Sequence, residues 1–388
     1  MEATDARRVN RAAVLGALLD AGRTTRTAVA LRTGLSTSTL SRTVDDLVAE
    51  RMVREVGRTA RSGRGRRAVE IEVAPEAGCV VGVDLGGSSC RVAVGDLAGR
   101  GREVRRRATP TSRSGTALAS WLVAFVERVH AELAADRPVR AVAVGVPGVV
   151  SPADGSVRSA VNLPQIDGDR FVGRLRAAFG EHVVFDNDAN LAVLGETTTG
   201  AVNGCGDVVM FTVGTGLGCG VVVGGRLLRG RTGFAGEFGF FPGADGGPVE
   251  RFTSGGGLLG EARARGLRAA DATELFADGS SRAVRGLRDR FLSGLALVTT
   301  AATLAYDPEA IVFGGGMTPA VAPLLDRLRD RVARSVPSVP RLVLSALGDD
   351  AGLLGALRCA TDRARAELGA AARNTDEVTA AERARPGG

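Results

Sequence analysis

The sequence contains no lysine, whereas it contains 50 arginines. A lysine of the P-loop type therefore cannot hold a phosphate, so phosphate contacts must come from arginine, from backbone N–H groups or from a metal. Histidine is almost absent as well, and the two histidines, His130 and His182, lie far apart in the sequence. We interpret them as surface or packing residues rather than as metal ligands.

Cysteine is scarce, and long apolar runs are missing. The five cysteines are odd in number and nowhere have the spacing of a metal or redox pair, so we expect them to be reduced and mostly buried. No apolar run approaches the roughly 18 residues that span a bilayer, and the N-terminal MEATDARRVN lacks the apolar core of a signal peptide. The sequence therefore predicts a cytoplasmic protein without a membrane partner.

The positive charge of the chain is concentrated near its N-terminus. Arginine outnumbers aspartate plus glutamate by 14 to 9 in residues 1–73, but only by 36 to 34 in the remaining residues. A length of 388 residues favours two or three domains. Because the neutralisation of phosphates supplies most non-specific affinity for DNA, the asymmetry is typical of a DNA-binding head on a nearly neutral body.

Three short helices are predicted in the head. Apolar residues recur at helical spacing from Val9 onward, and Gly22 ends this pattern, which predicts a first amphipathic helix. Thr25 precedes a short second helix that Gly34 closes, and Ser36 is placed as the N-cap of a third helix. Two helices joined by a turn that contains glycine predict a helix-turn-helix.

The third helix begins with short polar side chains that suit contacts to phosphates and base edges in a major groove. Two β-type runs, MVREVG and AVEIEV, flank a basic loop and predict a wing. The RGR core of that loop could lie in a narrow A·T-rich minor groove, or it could be a solvated basic linker that contacts only phosphates. The predicted DNA-binding residues are Ser36, Thr37, Ser38, Thr39, Ser41, Arg42, Arg64, Arg66 and Arg67.

From residue 74 onward, β-type runs and helical patterns alternate. CVVGVDLGG and RVAVGDLAG predict a β-hairpin with a glycine turn that lets a phosphate approach the backbone closely. The motifs DLGGSS, VAVGVPGVVSPADGSV, NLP, DNDAN, VGTGLGCGVVVGGRLLRGRTGFAGEFG and IVFGGGM then follow in one order. In this order they resemble the ROK (repressor, open reading frame, kinase) family, from about Val9 to about Ala360.

This resemblance implies an α/β fold in which the winged helix-turn-helix precedes a two-lobed, actin-like ATPase body with a cleft. The expected domains are residues 1–73 for the head, 74–189 for the first lobe and 190–369 for the second lobe. The last helix is expected to pack back on the first lobe, and residues 370–388 are expected to form a disordered tail.

The resemblance also implies the residues of the cleft. Asp188 would be the general base of a kinase, and it would hold a sugar hydroxyl in a sensor. The implied sugar-binding residues are Asn162, Asn187, Asp188, Glu237 and Glu250. The implied nucleotide-binding residues are Asp84, Gly86, Gly87, Ser88, Gly214, Thr215, Gly216, Gly218, Gly314 and Gly315.

The sequence departs from the family's kinases in three places. Ser88 stands where they usually have threonine, and Phe240 stands where they have histidine. The Cys-rich zinc loop is replaced by FPGADGGPVERFTSG, a shorter segment without cysteine. Phe240 cannot bind a metal, so no zinc and no other metal site is expected. Glu250, within this shortened segment, matches the glutamate that ends the zinc loop of the family.

Two functions follow from this pattern. The first is a sugar-responsive transcriptional regulator of carbohydrate genes, a repressor that binds a palindromic operator as a homodimer or homotetramer. Its effector would be a sugar or a phosphosugar. This ligand would either release the protein from DNA or promote its binding to DNA. The second is an ATP-dependent sugar kinase, alone or combined with regulation. A regulator needs no cofactor, whereas a kinase would need ATP and Mg²⁺.

Overall fold

The computed structural model describes residues 3–58, 68–97, 100–101, 103–243, 245–277 and 281–368. Three of the predicted DNA-binding residues, Arg64, Arg66 and Arg67, and the tail 370–388 lie outside these ranges. Within them no helix is long and apolar enough to cross a membrane. All five cysteines are free, and Cys79, Cys90 and Cys219 are buried.

The described residues of the first 73 form three helices and a small three-stranded antiparallel sheet of order β1-β3-β2. As predicted, Ser36 caps the third helix, and Gly34 ends the second helix in the left-handed conformation with a φ of 67°. Thr25, which precedes the second helix, is its N-cap. The first helix begins at Ala3, earlier than the apolar pattern predicts. The elements are α1 (Ala3–Ala21), β1 (Thr24–Thr25), α2 (Arg26–Thr33), α3 (Thr37–Ala49), β2 (Val53–Arg58) and β3 (Val69–Val73).

The first lobe is built on a five-stranded sheet of order β10-β7-β4-β5-β6. The strands β10, β7 and β4 are parallel, and β5 and β6 continue the sheet in antiparallel pairing, so the predicted hairpin is confirmed as β4 and β5. The elements are β4 (Cys79–Leu85), β5 (Ser89–Asp96), β6 (Glu103–Ala108), α4 (Gly115–Ala134), β7 (Val139–Val146), β8 (Val149–Val150), β9 (Val157–Arg158), α5 (Arg170–Phe179) and β10 (Val183–Asn187).

The second lobe repeats this topology in a sheet of order β13-β12-β11-β14-β15, again with three parallel strands and two antiparallel ones. Such a repeated mixed sheet is the architecture that the resemblance implies. The elements are α6 (Asp188–Thr199), β11 (Val208–Val213), β12 (Leu217–Val223), β13 (Arg226–Leu227), α7 (Glu250–Thr253), α8 (Gly255–Ala264), α9 (Arg282–Tyr306), β14 (Ala310–Gly314), α10 (Thr318–Val321), α11 (Leu325–Val332), β15 (Arg341–Leu344) and α12 (Ala351–Glu367).

The helices α6 and α12 pack closely against each other, and α12 also lies on strand β4 of the first sheet. The approach is backbone to backbone, because a Cβ atom at Gly355 would overlap the carbonyl oxygen of Leu191, and one at Gly82 would lie 2.8 Å from the amide nitrogen of Leu357. The buried side chains of α12 share one apolar core with those of α1 and α3, among them Leu15 and Leu357. The last helix therefore contacts the first sheet, the helix that begins at Asp188, and the head.

Candidate functional site

An open cavity of about 350 Å³ lies between the two lobes. It is lined by residues that the sequence pattern assigned to sugar or nucleotide binding, contributed by both sheets. Those residues are Gly86, Gly87, Asn162, Asn187, Asp188, Gly214, Thr215, Gly216, Gly218, Glu237, Glu250 and Gly315. Asp84, Ser88 and Gly314, which were assigned to nucleotide binding, are not among the lining residues.

Asp188 is positioned by the start of α6. Asn187 is the N-cap of this helix, and its Oδ1 accepts hydrogen bonds from the amides of Ala189 (2.9 Å) and Asn190 (3.2 Å). Its side-chain amide donates to the carbonyl of Gly148 at 3.0 Å. Cap and carbonyl together fix the turn, so the Asp188 carboxylate is held at the helix N-terminus, where a negative charge is favoured.

The Asp188 carboxylate is nevertheless difficult to ionise. Burial, together with the negative charges of Asp84 and Glu237, raises the pKa of Asp188 to about 7, although the hydrogen bond from the Ala189 amide acts in the opposite direction. A carboxylate with a pKa near neutrality can accept a hydroxyl proton or hold a hydroxyl by hydrogen bonding. Both roles that the resemblance implies are therefore chemically open to it.

The second lobe contributes two glutamates to the cavity. Glu237 precedes a turn of 3-10 helix over Phe238–Phe240, and burial followed by the charge of Glu250 raises its pKa. Glu250 opens α7, and its Oε1 accepts a hydrogen bond of 2.9 Å from the amide of Leu217. The shortened loop has therefore not removed Glu250 from the cavity, although part of its hydrogen-bonding capacity is used by the backbone.

Among the described residues, the lining of the cavity contains three carboxylates, two asparagines and no arginine or histidine. Two exposed apolar side chains also lie on it, Val161 (86% exposed) and Phe240 (65% exposed). The sequence pattern gave Val161 no role. Carboxylates and amides match vicinal hydroxyls, and an aromatic ring offers an apolar face to the C–H groups of a sugar. The composition of the lining thus suits an uncharged polyhydroxylated ligand.

The sequence pattern also missed Arg91, the cross-strand partner of Asp84 in the β4–β5 hairpin. Both Nε (3.2 Å) and Nη2 (2.5 Å) of Arg91 donate to Oδ2 of Asp84. The same guanidinium also binds Asp350 Oδ1 at 3.2 Å and the carbonyl of Asp349, immediately before α12. Since the two side chains are only 15% and 20% exposed, this ion pair is shielded from solvent.

The N-terminal end of α3 is a polar, exposed surface. Ser36, Thr37, Ser38 and Arg42 are exposed, and Thr39 and Ser41 are partly exposed. The Ser36 hydroxyl is used as the helix cap, because it accepts the Thr39 amide at 3.2 Å. Among the described residues, Arg42 makes no ion pair and no side-chain hydrogen bond, so its guanidinium is available to an external anion.

The acidic residues around the C-terminal half of α3 are neutralised by the other two helices of the head. Arg7 binds Asp46 at 2.9 Å, and Arg26 binds Asp45 at 2.8 Å. Arg11 forms a similar pair with Glu50, and the hydrogen bond from Arg11 is the main reason that the pKa of Glu50 is lowered. The negative charge near α3 is thereby offset, whereas the positive charge of Arg42 is left uncompensated.

The model of the ROK family matches residues 80–363. The bifunctional enzyme NanE/NanK of Brucella suis biovar 1 (strain 1330) is 37% identical over 309 residues, 76% of this chain and 55% of that protein. The xylose repressor of Caldicellulosiruptor bescii is 29% identical over 234 residues, 60% of this chain and 58% of the repressor. The chain thus spans little more than half the length of these two relatives.

Among solved structures, a ROK family transcriptional regulator, homologous to the E. coli MLC protein, superposes with a TM-score of 0.74 at 20% identity. The match covers 94% of this chain and 99% of the regulator, so it includes part of the first 73 residues as well as the body. At this identity the likeness concerns the fold alone.

The fold and the cleft define a two-lobed α/β protein with the actin-like body of a sugar kinase. Because the family model covers most of the chain, the protein belongs to the ROK family. The relatives include both repressors and kinases, so membership alone does not decide between the two functions.

Proposed function

We propose that the protein is a sugar-responsive, DNA-binding transcriptional regulator, a repressor of carbohydrate genes that acts in the cytoplasm as a homodimer or homotetramer. The observation that carries this proposal is the combination, in one chain, of a lobe cleft rich in hydroxyl-binding groups with a head that exposes the unpaired Arg42. In this proposal the head is a winged helix-turn-helix, and α3 enters the major groove of a palindromic operator.

The proposed effector is an unphosphorylated sugar. A phosphate group would need a cation or several free backbone N–H groups nearby, but the lining holds Asp188, Glu237 and Glu250 without a basic residue. These same carboxylates favour sugar hydroxyls as hydrogen-bond donors. Of the two effector classes that the sequence left open, the charge of the cleft supports the neutral sugar.

A route from the cleft to the head runs along α12. A Cβ atom at Gly352, in the first turn of α12, would lie 3.7 Å from the Asp84 carboxyl and 3.8 Å from the carbonyl of Asp188. In its last turn, Arg365 binds Asp20 of α1 at 3.4 Å. Closure of the lobes on a sugar would therefore be passed to α1 through one helix, and it would change the spacing of two heads on a symmetric operator.

Thermal denaturation against a panel of monosaccharides and their phosphates tests the effector. A ligand of the folded state must raise the melting temperature. We expect a neutral sugar to do so and its phosphate ester to have no effect. The sugar that binds should then change the affinity of the protein for its operator, and Glu237→Gln should weaken both responses. Stabilisation by phosphosugars alone would contradict the proposed effector.

Arg42→Ala is expected to weaken operator binding by about tenfold or more, since one good contact to a base edge or a phosphate corresponds to about 1–3 kcal/mol. Arg329→Ala, on the surface of α11 far from α3 in the sequence, removes the same charge and serves as the control. Fluorescence anisotropy on a labelled operator fragment measures both. Equal affinity of the two variants would show that α3 does not face the DNA.

The second candidate is a sugar kinase. It is favoured by one observation, the pKa of about 7 at Asp188, which suits a general base at neutral pH. A coupled assay for ADP release on the same sugar panel tests this function. Turnover that Asp188→Ala abolishes would support the kinase, whereas sugar binding without turnover would support the regulator.

A further inference from the structure

The glycine loops on both sides of the cleft match the phosphate loops of the family's kinases, which raises the question of whether Mg²⁺ and a nucleotide fit this chain. In the second lobe, a Cβ atom at Gly214 or Gly316 would meet no atom within 4 Å, whereas in the first-lobe loop one at Gly87 would lie 2.8 Å from the carbonyl oxygen of Asn162. The backbone at Gly214 and Gly316 is therefore open to the close approach of a ligand. The fit depends on the charged groups beside the loops, above all on Asp84.

Asp84 is the carboxylate that the family pattern places beside the phosphates, and here it is already paired with a cation. Two donors of Arg91 converge on its Oδ2, and the pair is largely shielded from solvent. The start of α12 lies on the other side, because a Cβ atom at Gly352 would be 3.7 Å from Oδ1. Helix N-termini favour negative charge, so both neighbours compensate the carboxylate.

Arg91 itself is held by more than Asp84. Its Nη1 donates to Asp350 and its Nη2 to the carbonyl of Asp349, so one guanidinium binds three acceptors from β4 and from the turn before α12. A side chain fixed by three acceptors does not leave without breaking all three contacts. Mg²⁺ needs a carboxylate oxygen at about 2.0–2.1 Å in near-octahedral geometry, which the guanidinium prevents at Oδ2.

The second loop carries a related obstacle. A phosphate at GTGLG would be held by backbone N–H groups, yet the amide of Leu217 donates to Glu250. A Cβ atom at Gly216 would lie 2.8 Å from the same glutamate oxygen. This carboxylate therefore occupies a donor that a phosphate would use, and it adds a negative charge that repels the phosphate.

We propose that Arg91 replaces the divalent cation beside Asp84, so that the cleft binds its sugar without Mg²⁺·ATP. The two glycine loops then serve as walls of a one-ligand site rather than as a nucleotide site. This inference rests on the proposed function only in treating the cleft as the ligand site, and it assigns to Arg91 a role that is opposed to turnover.

Calorimetric titration of the full-length protein with Mn²⁺, and separately with Mg²⁺ and a non-hydrolysable ATP analogue, tests this proposal. The wild-type protein is expected to bind the metal–nucleotide complex with a Kd weaker than about 1 mM. Arg91→Ala releases Asp84 from its cation, and it is expected to bind both Mn²⁺ and the complex at least about tenfold more tightly. Arg91→Gln, which keeps hydrogen-bond donors without the charge, should also gain affinity.

Arg105→Ala is the matched control, because Arg105 is an ion-paired arginine of the neighbouring strand β6 that binds the surface residue Glu132 at 3.0 Å. It should bind metal and nucleotide as weakly as the wild-type protein. Micromolar binding of Mg²⁺ and nucleotide by the wild-type protein would overturn the proposal. So would unchanged weak binding in both folded Arg91 variants. Neither measurement involves sugar or DNA, so its failure is distinct from failure of the proposed function.

Discussion

Asp188→Asn is expected to stabilise the ligand-free protein at pH 8 while reducing its affinity for sugar by about a hundredfold. Burial and two neighbouring carboxylates raise the pKa of Asp188 from 3.8 to about 7. Ionised Asp188 is therefore disfavoured in the folded state. An amide in its place is neutral at every pH, but it cannot accept a hydroxyl proton or two strong hydrogen bonds from hydroxyl groups.

The pH dependence follows from the direction of the shift. A folded-state pKa above the unfolded value means that the folded protein binds the proton more tightly, so stability from this group falls as pH rises above 3.8 and levels off above about 7. A rise in pKa from 3.8 to about 7 corresponds to at most about 4 kcal/mol, and screening by solvent in the open cavity lowers this to on the order of 2 kcal/mol. Asp188→Asn should remove that slope from a series of melting temperatures between pH 5 and pH 8.

Asp154→Asn is a control of opposite sign. Hydrogen bonds from the backbone and side chain of Ser156, and from Ser151, lower the pKa of Asp154 to about 2. Stability from Asp154 is therefore present above pH 3.8 and is lost as pH falls through about 2, so its variant should not gain stability at pH 8. Parallel pH profiles for Asp188→Asn and wild type between pH 5 and pH 8 would mean that Asp188 ionises normally.

The head was the most predictable part of the chain, because its signals are local. Thr25, Ser36 and Gly34 are capping residues whose side chains or backbone freedom act within three or four residues of their own position. The same holds for the β4–β5 hairpin, whose two runs and glycine turn are contiguous. Local signals of this kind determine where elements begin and end, so these predictions were confirmed.

Arg91, the ion-pair partner of Asp84, could have been predicted by the same local reasoning. The turn Gly86–Gly87–Ser88–Ser89 pairs Leu85 with Cys90, which places Asp84 opposite Arg91 on the same face of the hairpin. Counting outward from the turn would have found this ion pair from the sequence alone. What the sequence could not show are the other two partners, since Asp349 and Asp350 lie 258 and 259 positions away from Arg91 and meet it only through the packing of α12.

In the cleft, too, the identity of the residues could be predicted from the sequence, whereas their electrostatic properties could not. The family pattern collected its polar residues, and all five implied sugar-binding residues line one cavity. The raised pKa of Asp188 depends on the burial of its carboxylate and on the charges of Asp84 and Glu237, which come from different lobes. No periodicity or motif encodes the distances between these carboxylates. Electrostatic properties of a site between lobes therefore require the assembled structure.

Gly355→Ala is expected to destabilise the protein by at least about 3 kcal/mol, because the added methyl group would overlap the carbonyl oxygen of Leu191. A backbone atom cannot rotate away as a side chain can, so α6 and α12 must move apart. Asp188 begins α6, and the start of α12 lies beside Asp84 and Asp188. The variant should therefore also bind sugar more weakly, which thermal denaturation with and without the sugar measures.

Gly286→Ala provides the matched control for this substitution. Gly286 lies on an exposed turn of α9, and a Cβ atom there would meet no atom within 4 Å. Replacing a glycine in an open helical position by alanine stabilises a protein by about 0.5–1 kcal/mol, so this variant should melt slightly above wild type. A Gly355→Ala protein that melts with wild type and binds sugar equally well would show that α6 and α12 are not held together by this contact. It would also remove the packing of α12 as the route by which the cleft reaches the head.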